Sequence, residues 1–154
     1  MKRREFNKSL IALSGIGASL SLGVIPLSVN AARSITAFEA ETGEDAMNEL
    51  YGTTSAEPSE AISFKAPDIA ENGAVVPISI MADIPNVDHV ALLVLNNPSP
   101  LAASFEPVTA GATTVGTRIK MGKTSQLMAL VRADGKVYSA TSKEVKVTIG
   151  GCGG

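Results

Sequence analysis

The sequence predicts an all-β protein folded as an antiparallel β-sandwich. Short segments in which apolar and polar residues alternate recur from Ala61 onward, and clusters of Gly, Pro, Asn and Asp separate them. Between two of these segments stands Asp134-Gly135, the dipeptide favoured in a two-residue β-hairpin. About seven short strands at this spacing, with turn residues between them, suit two packed antiparallel sheets.

The chain opens on a segment that is not part of the sandwich. Lys2-Arg3-Arg4-Glu5-Phe6-Asn7-Lys8 has the pattern of a twin-arginine export signal, with Arg3 and Arg4 as its pair. An apolar stretch from Leu10 to Ile25 and a small-residue site at Val29-Asn30-Ala31 follow. Gly15, Gly17 and Gly23 interrupt the apolar run, so residues 1–31 read as an address cleaved on export rather than a membrane anchor. The expected location is the periplasm, with no membrane contact after cleavage. Removal leaves 123 of the 154 residues, enough for one core in a domain over 32–149.

Ile35 to Gly52 is the single helical candidate. Thr42 precedes Asp45 by three residues, Glu44 and Asp45 suit a first turn, and Met47, Leu50 and Tyr51 recur at helical spacing before Gly52 stops the run. Thr53 to Glu60, polar and containing Pro58, reads as a loop. Strands follow. Ile62 and Phe64 alternate with Ser63 and Lys65; Val76, Ile78 and Ile80 alternate with Pro77 and Ser79, and the proline points to an edge strand. Asp88 to Leu95, with the consecutive apolar run Val90-Ala91-Leu92-Leu93-Val94-Leu95, reads as a central strand buried on both faces. Asn96, Asn97, Pro98 and Pro100 turn the chain. Thr117 to Met121 alternates, as do Leu127, Ala129 and Val131 before the Asp134-Gly135 hairpin and the strand Val137 to Ala140. In the last strand Val145, Val147 and Ile149 share one face while Glu144, Lys146 and Thr148 share the other.

The chain ends in Gly150-Gly151-Cys152-Gly153-Gly154, which holds its one cysteine. Four glycines offer no side chain to bury and are costly to immobilise, so this stretch reads as a flexible swinging arm. Fully extended it spans at most roughly 17 Å. The arm brings no charged side chain to the thiol, and at an ordinary pKa of about 8.5 only about 3% is thiolate at pH 7. A nucleophile of that kind is one that another protein acts on. With a single cysteine no internal disulfide forms, although an exported protein meets an oxidising compartment.

The remaining chemistry is sparse. His89 is the only histidine, at the start of the strongest strand, and reads as structural rather than catalytic. Asp68 and Glu71 read as solvated carboxylates on a polar loop. No catalytic set, metal site, cofactor site or phosphate-binding loop is legible. Loss of the leader takes the net charge from −2 to −5, which argues against nucleic acid as a partner. Eleven acids and one base lie between Glu39 and Asp88, against seven bases and two acids from Arg118 to Lys146. Such asymmetry fits solvated faces of different sign, or a basic surface near the arm that meets anionic substrate or a partner.

The ending Lys146-Val147-Thr148-Ile149 followed by GGCGG resembles the C-terminus of the SoxY family, sulfur-carrier subunits of the periplasmic thiosulfate-oxidising Sox system. KAPDIAENGAVVPI (65–78), NPSPLAASFE (97–106) and TRIKM (117–121) are similar to that family too, so the likeness covers essentially the whole mature chain. The resemblance implies an immunoglobulin-like sandwich and a non-enzymatic carrier whose Cys152 is the covalent attachment point for substrate. It further implies a SoxZ-like small β-protein as heterodimer partner. A haem-containing enzyme would couple thiosulfate to the thiol, a hydrolase would release sulfate, and a further enzyme would oxidise the remaining sulfur. Read from residues alone, two other functions stay open: a β-sandwich interaction module that dimerises through Cys152, and a ubiquitin-like carrier activated at the Gly154 carboxylate. The export signal speaks against the second, since that activation needs cytoplasmic ATP.

Overall fold

The computed structural model describes residues 35–106 and 113–148. The leader over 1–31 with Arg3 and Arg4, and the arm residues Gly150, Gly151, Cys152, Gly153 and Gly154, lie outside the described residues.

Two sheets face each other as an immunoglobulin-like sandwich, and a pair of helices covers one outer face. The larger sheet has the order β1-β9-β8-β5-β6, from β1 (Glu57–Pro58), β9 (Lys136–Thr141), β8 (Leu127–Ala133), β5 (Val87–Val94) and β6 (Leu101–Phe105). The smaller sheet has the order β2-β4-β7, from β2 (Ile62–Lys65), β4 (Val76–Ala82) and β7 (Thr113–Ile119), with all its pairings antiparallel. A third, two-stranded ladder pairs β10 (Lys146–Val147) with β3 (Ile69–Ala70) in parallel.

Alternation decides which side chains meet in the middle. Val90, Leu92 and Val94 of β5 and Leu127, Ala129 and Val131 of β8 point into the sandwich, where they meet Val76, Ile78 and Ile80 of β4 and Val115 and Ile119 of β7. Ala91 and Leu93 of β5 and Leu130 of β8 point the other way, under the helices α1 (Ile35–Glu39) and α2 (Gly43–Tyr51), against Ala37, Ala46 and Met47. Strand β5 is thus buried on both faces, as its continuous apolar run predicts. Val87 and Val90 both face the sandwich, which strict alternation forbids; a bulge between Val87 and His89 supplies the extra residue. The Asp134-Gly135 turn joins β8 to β9 with φ of 51° and 75°, the left-handed pair that such a hairpin requires.

Four local expectations change. The stretch from Ile35 to Gly52 forms two helices. Thr42 sits at φ −123° and ψ 156°, extended rather than helical, and its hydroxyl caps α2 by accepting from the Asp45 N–H at 3.1 Å. Gly52 does stop the helix, at φ 67°, with its N–H donated to the Asn48 carbonyl at 2.8 Å. Pro77 lies in the middle strand of its sheet rather than an edge. Pairing with β2 ends at Lys65↔Ser79, so next to Pro77 only β7 continues and no ladder bond is lost on the other side. The segment read as a loop over 53–60 contributes β1, two residues parallel to β9 on the sheet edge, where Pro58 is tolerated. Among the described residues the last strand is shorter than its alternation implies: β10 covers Lys146 and Val147, preceded by a single bridge between Val145 and Ser125, while Ile149, expected on its buried face, lies outside the described residues.

Candidate functional site

The described chain ends at Thr148, so the site that can be built from side chains is the root from which the C-terminal segment leaves. Val145 is buried and exchanges both backbone hydrogen bonds with Ser125, at 2.9 and 3.1 Å. Lys146 N–H donates to the Asp68 carbonyl at 3.0 Å and Thr148 N–H to the Ala70 carbonyl at 3.2 Å. Between them the Val147 N–H turns away from β3 and donates to the Thr124 hydroxyl at 3.0 Å. The Thr148 hydroxyl adds a bond of 3.3 Å to the Glu71 carbonyl. Asp68 and Glu71, read from sequence as solvated, are indeed exposed, yet their main chain holds the root on one side.

The segment 65–78 is shaped to receive this root. Asn72 makes a tight turn, its Oδ1 accepting from the Ala74 N–H at 2.9 Å and its carbonyl from the Val75 N–H at 3.2 Å. Gly73, inside that turn, is buried and passes its carbonyl to the Met121 N–H at 2.7 Å. The other side is held by the turn after β5. Asn97 accepts from the Gly122 N–H at 3.0 Å and donates to the Lys120 carbonyl at 2.8 Å; Asn96 donates to the Thr124 carbonyl at 2.9 Å. Two open clefts flank the root. One, of about 360 Å³, runs past Phe64, Pro67 and Lys143; the other, of about 240 Å³, lies beside Ile69, Val75 and Pro77. Ile69 and Val75 are large apolar side chains left exposed there.

His89 is placed elsewhere, under the helices. Its Nδ1 shares a hydrogen bond of 2.8 Å with the Tyr51 hydroxyl and its Nε2 one of 2.8 Å with Ser104 Oγ, and only 6% of the residue is exposed. Burial, and then the nearby Arg132, hold its pKa below 6.5, while Glu106 and Asp88 oppose the shift. Tyr51 meets the imidazole edge-on at 5.2 Å between centroids; burial raises the phenol pKa far out of the physiological range, partly offset by Arg132. Arg132 lies 5.8 Å from the centre of the Tyr51 ring and pairs with Asp88 at 2.7 Å. Both imidazole nitrogens are therefore engaged, and neither cleft reaches them. The histidine fastens α2 to β5 and β6.

Among the described residues no group of three His, Cys, Asp or Glu is placed to hold a metal ion. No described helix is long and apolar enough to cross a membrane. Sequence reading missed the roles of Thr124 and Gly73 and the clamp that the Asn96-Asn97 turn makes, because each acts on partners more than 20 residues away and leaves no periodicity. The Asn72-Gly73 pair was the one available signal of a tight turn.

The model of the family described as sulfur oxidation protein SoxY matches residues 47–152, more than half of the chain and through the cysteine. Among solved structures, the sulfur carrier protein SoxY from Chlorobium limicola f thiosulfatophilum is 40% identical at a TM-score of 0.57, over 68% of this chain and 94% of that one. A superoxide reductase (neelaredoxin) from Ignicoccus hospitalis is 16% identical at a TM-score of 0.45, over 58% of this chain and 81% of that one, too slight a likeness to bear on function. No curated protein matches the chain.

Proposed function

The chain belongs to the SoxY family of sulfur oxidation proteins, and from that premise we propose that it is a covalent sulfur carrier in thiosulfate oxidation, with Cys152 as the attachment point. The observation that carries this reading is that the family match runs through Cys152, the one cysteine in the sequence. Loading is an oxidation. The Cys152 Sγ–H and the outer sulfur of thiosulfate join in a new S–S bond, giving Cys–S–S–SO3−; the thiol loses its proton, and two electrons pass to a haem-containing partner enzyme. Water then cleaves the bond between the terminal sulfur and the sulfonate. Sulfate leaves and a persulfide remains on Cys152 for a further enzyme to oxidise.

Division of labour supports the scheme. The arm holds no activating group for its thiol, so the partner enzymes supply the chemistry and this chain supplies presentation. The GGCGG segment is the swinging arm, its glycines giving a thin backbone that a narrow active-site channel admits. The protein works in the periplasm after twin-arginine export, as a heterodimer with a SoxZ-like small β-protein.

Intact-mass measurement of the mature protein from cells given thiosulfate tests the carrier role. Reducible sulfur adducts should appear on the wild type and be absent from Cys152→Ser. Adducts that persist in the serine variant refute the carrier, and a doubled mass lost on reduction favours a disulfide-linked dimer instead.

A further inference from the structure

Strand β10 has two residues, yet each N–H from Val145 to Thr148 is taken by the body of the domain. Three of the acceptors are main-chain carbonyls, of Ser125, Asp68 and Ala70. No side-chain substitution deletes those. The fourth is a side chain: the Thr124 hydroxyl accepts from Val147 at 3.0 Å, where a second neighbouring strand would offer a carbonyl. The turn that carries Thr124 is otherwise exposed at Gly122 and Lys123, and it is strapped down by Asn96 and Asn97 through bonds of 2.8–3.0 Å. The Asn96 main chain joins in, donating to Ser125 Oγ at 3.0 Å. So much fixing of a surface turn delivers one hydroxyl to one N–H, on the last described strand before the cysteine.

We propose that Thr124 is the positioning residue of the C-terminal arm, setting the point and the direction in which residues 149–154 leave the domain. The inference rests on the carrier reading only for its purpose. Without the Val147 bond the root is held beyond Lys146 by the Thr148 bonds to Ala70 and Glu71 alone, and this looser hold spreads the directions that the tether samples. A carried group is then presented to a partner's active site at a lower effective concentration.

Because Cys152 is the one native cysteine, the test is direct. A nitroxide on Cys152 and a second on Thr114→Cys, at an exposed position of β7, report the distance distribution between arm and body in the mature protein. Thr124→Val keeps the branched shape and deletes the acceptor. It should broaden that distribution, and it should speed exchange of the Val147 amide proton by up to about tenfold, the loss of one hydrogen bond. Thr124→Ser, which restores the hydroxyl, should return both to wild type; Thr124→Ala guards against a packing artefact of valine and should match it. Unchanged distances and exchange in the valine and alanine variants overturn the proposal, as does a serine variant that behaves like valine. No sulfur chemistry enters these readouts. If they come out as expected while Cys152 is never loaded, the carrier reading fails and the positioning role stands.

Discussion

Gly73 lies against Val147 with no room between them: a Cβ at Gly73 would stand 2.9 Å from Val147 Cγ1 and 2.5 Å from the Met121 carbonyl oxygen. The constraint is space, not a left-handed backbone, since Gly73 is not among the positive-φ residues. One of the two neighbours is main chain and cannot rotate away. Gly73→Ala should therefore cost about 1–3 kcal/mol of stability, the range for overpacking, and should loosen the root, seen as faster amide exchange at Val147 and Thr148. A variant as stable as wild type with an unchanged root would show that the turn shifts freely.

The buried histidine predicts a pH dependence. The His89 pKa is lowered in the folded state, so the unfolded chain binds the proton more readily. Stability contributed by the neutral imidazole is present above pH 6.5 and declines as pH falls below that value. His89→Gln should show a smaller fall in urea midpoint between pH 7 and pH 5 than wild type does. Equal falls in the two proteins would mean that other groups govern the acid response.

The arm itself is open to a substitution that separates chemistry from access. Valine at both Gly150 and Gly151 should leave the unfolding midpoint nearly unchanged, because the buried residues that make the described core run no further than Val145. Small thiol reagents should label Cys152 at about the wild-type rate. Loading by the partner enzymes should fall steeply, since two β-branched side chains thicken the backbone and restrict its dihedral angles. Loading at the wild-type rate would show the glycines to be dispensable.

Export gives a fourth measurement. Replacing Arg3 and Arg4 with lysine should hold the protein in the cytoplasm. Because twin-arginine export moves folded cargo, a partner that lacks its own signal should be held back with it. Fractionation that finds the partner in the periplasm on its own would refute joint export.

The parts of the fold with strong periodicity were legible in the sequence. The apolar run within Asp88 to Leu95 read as a strand buried on both faces, which β5 matches as far as Val94, and Asp134-Gly135 read as a hairpin, which joins β8 to β9. Thr42 and Gly52 marked the two ends of α2 through cap chemistry alone. What stayed illegible was pairing between partners distant in sequence. Two-residue ladders such as β10 with β3 leave no alternation to read, and the acceptor for Val147 comes from Thr124, 23 residues away. Pro77 misled because strand order and local pairing are separate: a central strand can still have one unpaired stretch. For the site, the Cys152 motif and its family likeness were plain, whereas its support was written only in the tertiary structure.

The four anchored residues also have a mechanical reading. Where Val145 to Thr148 run beside Ser125, Thr124, Asp68 and Ala70, their hydrogen bonds run sideways to neighbouring chain, slanted in the parallel pair of β10 with β3, rather than along the strand axis. A pull applied to the tail along that axis loads these bonds in shear, all together. A pull at right angles peels them one by one, beginning at Thr148. The attachment is stiff in one direction and yielding in the other, so a load on the tail is borne by the whole root only when it is aligned with the strand.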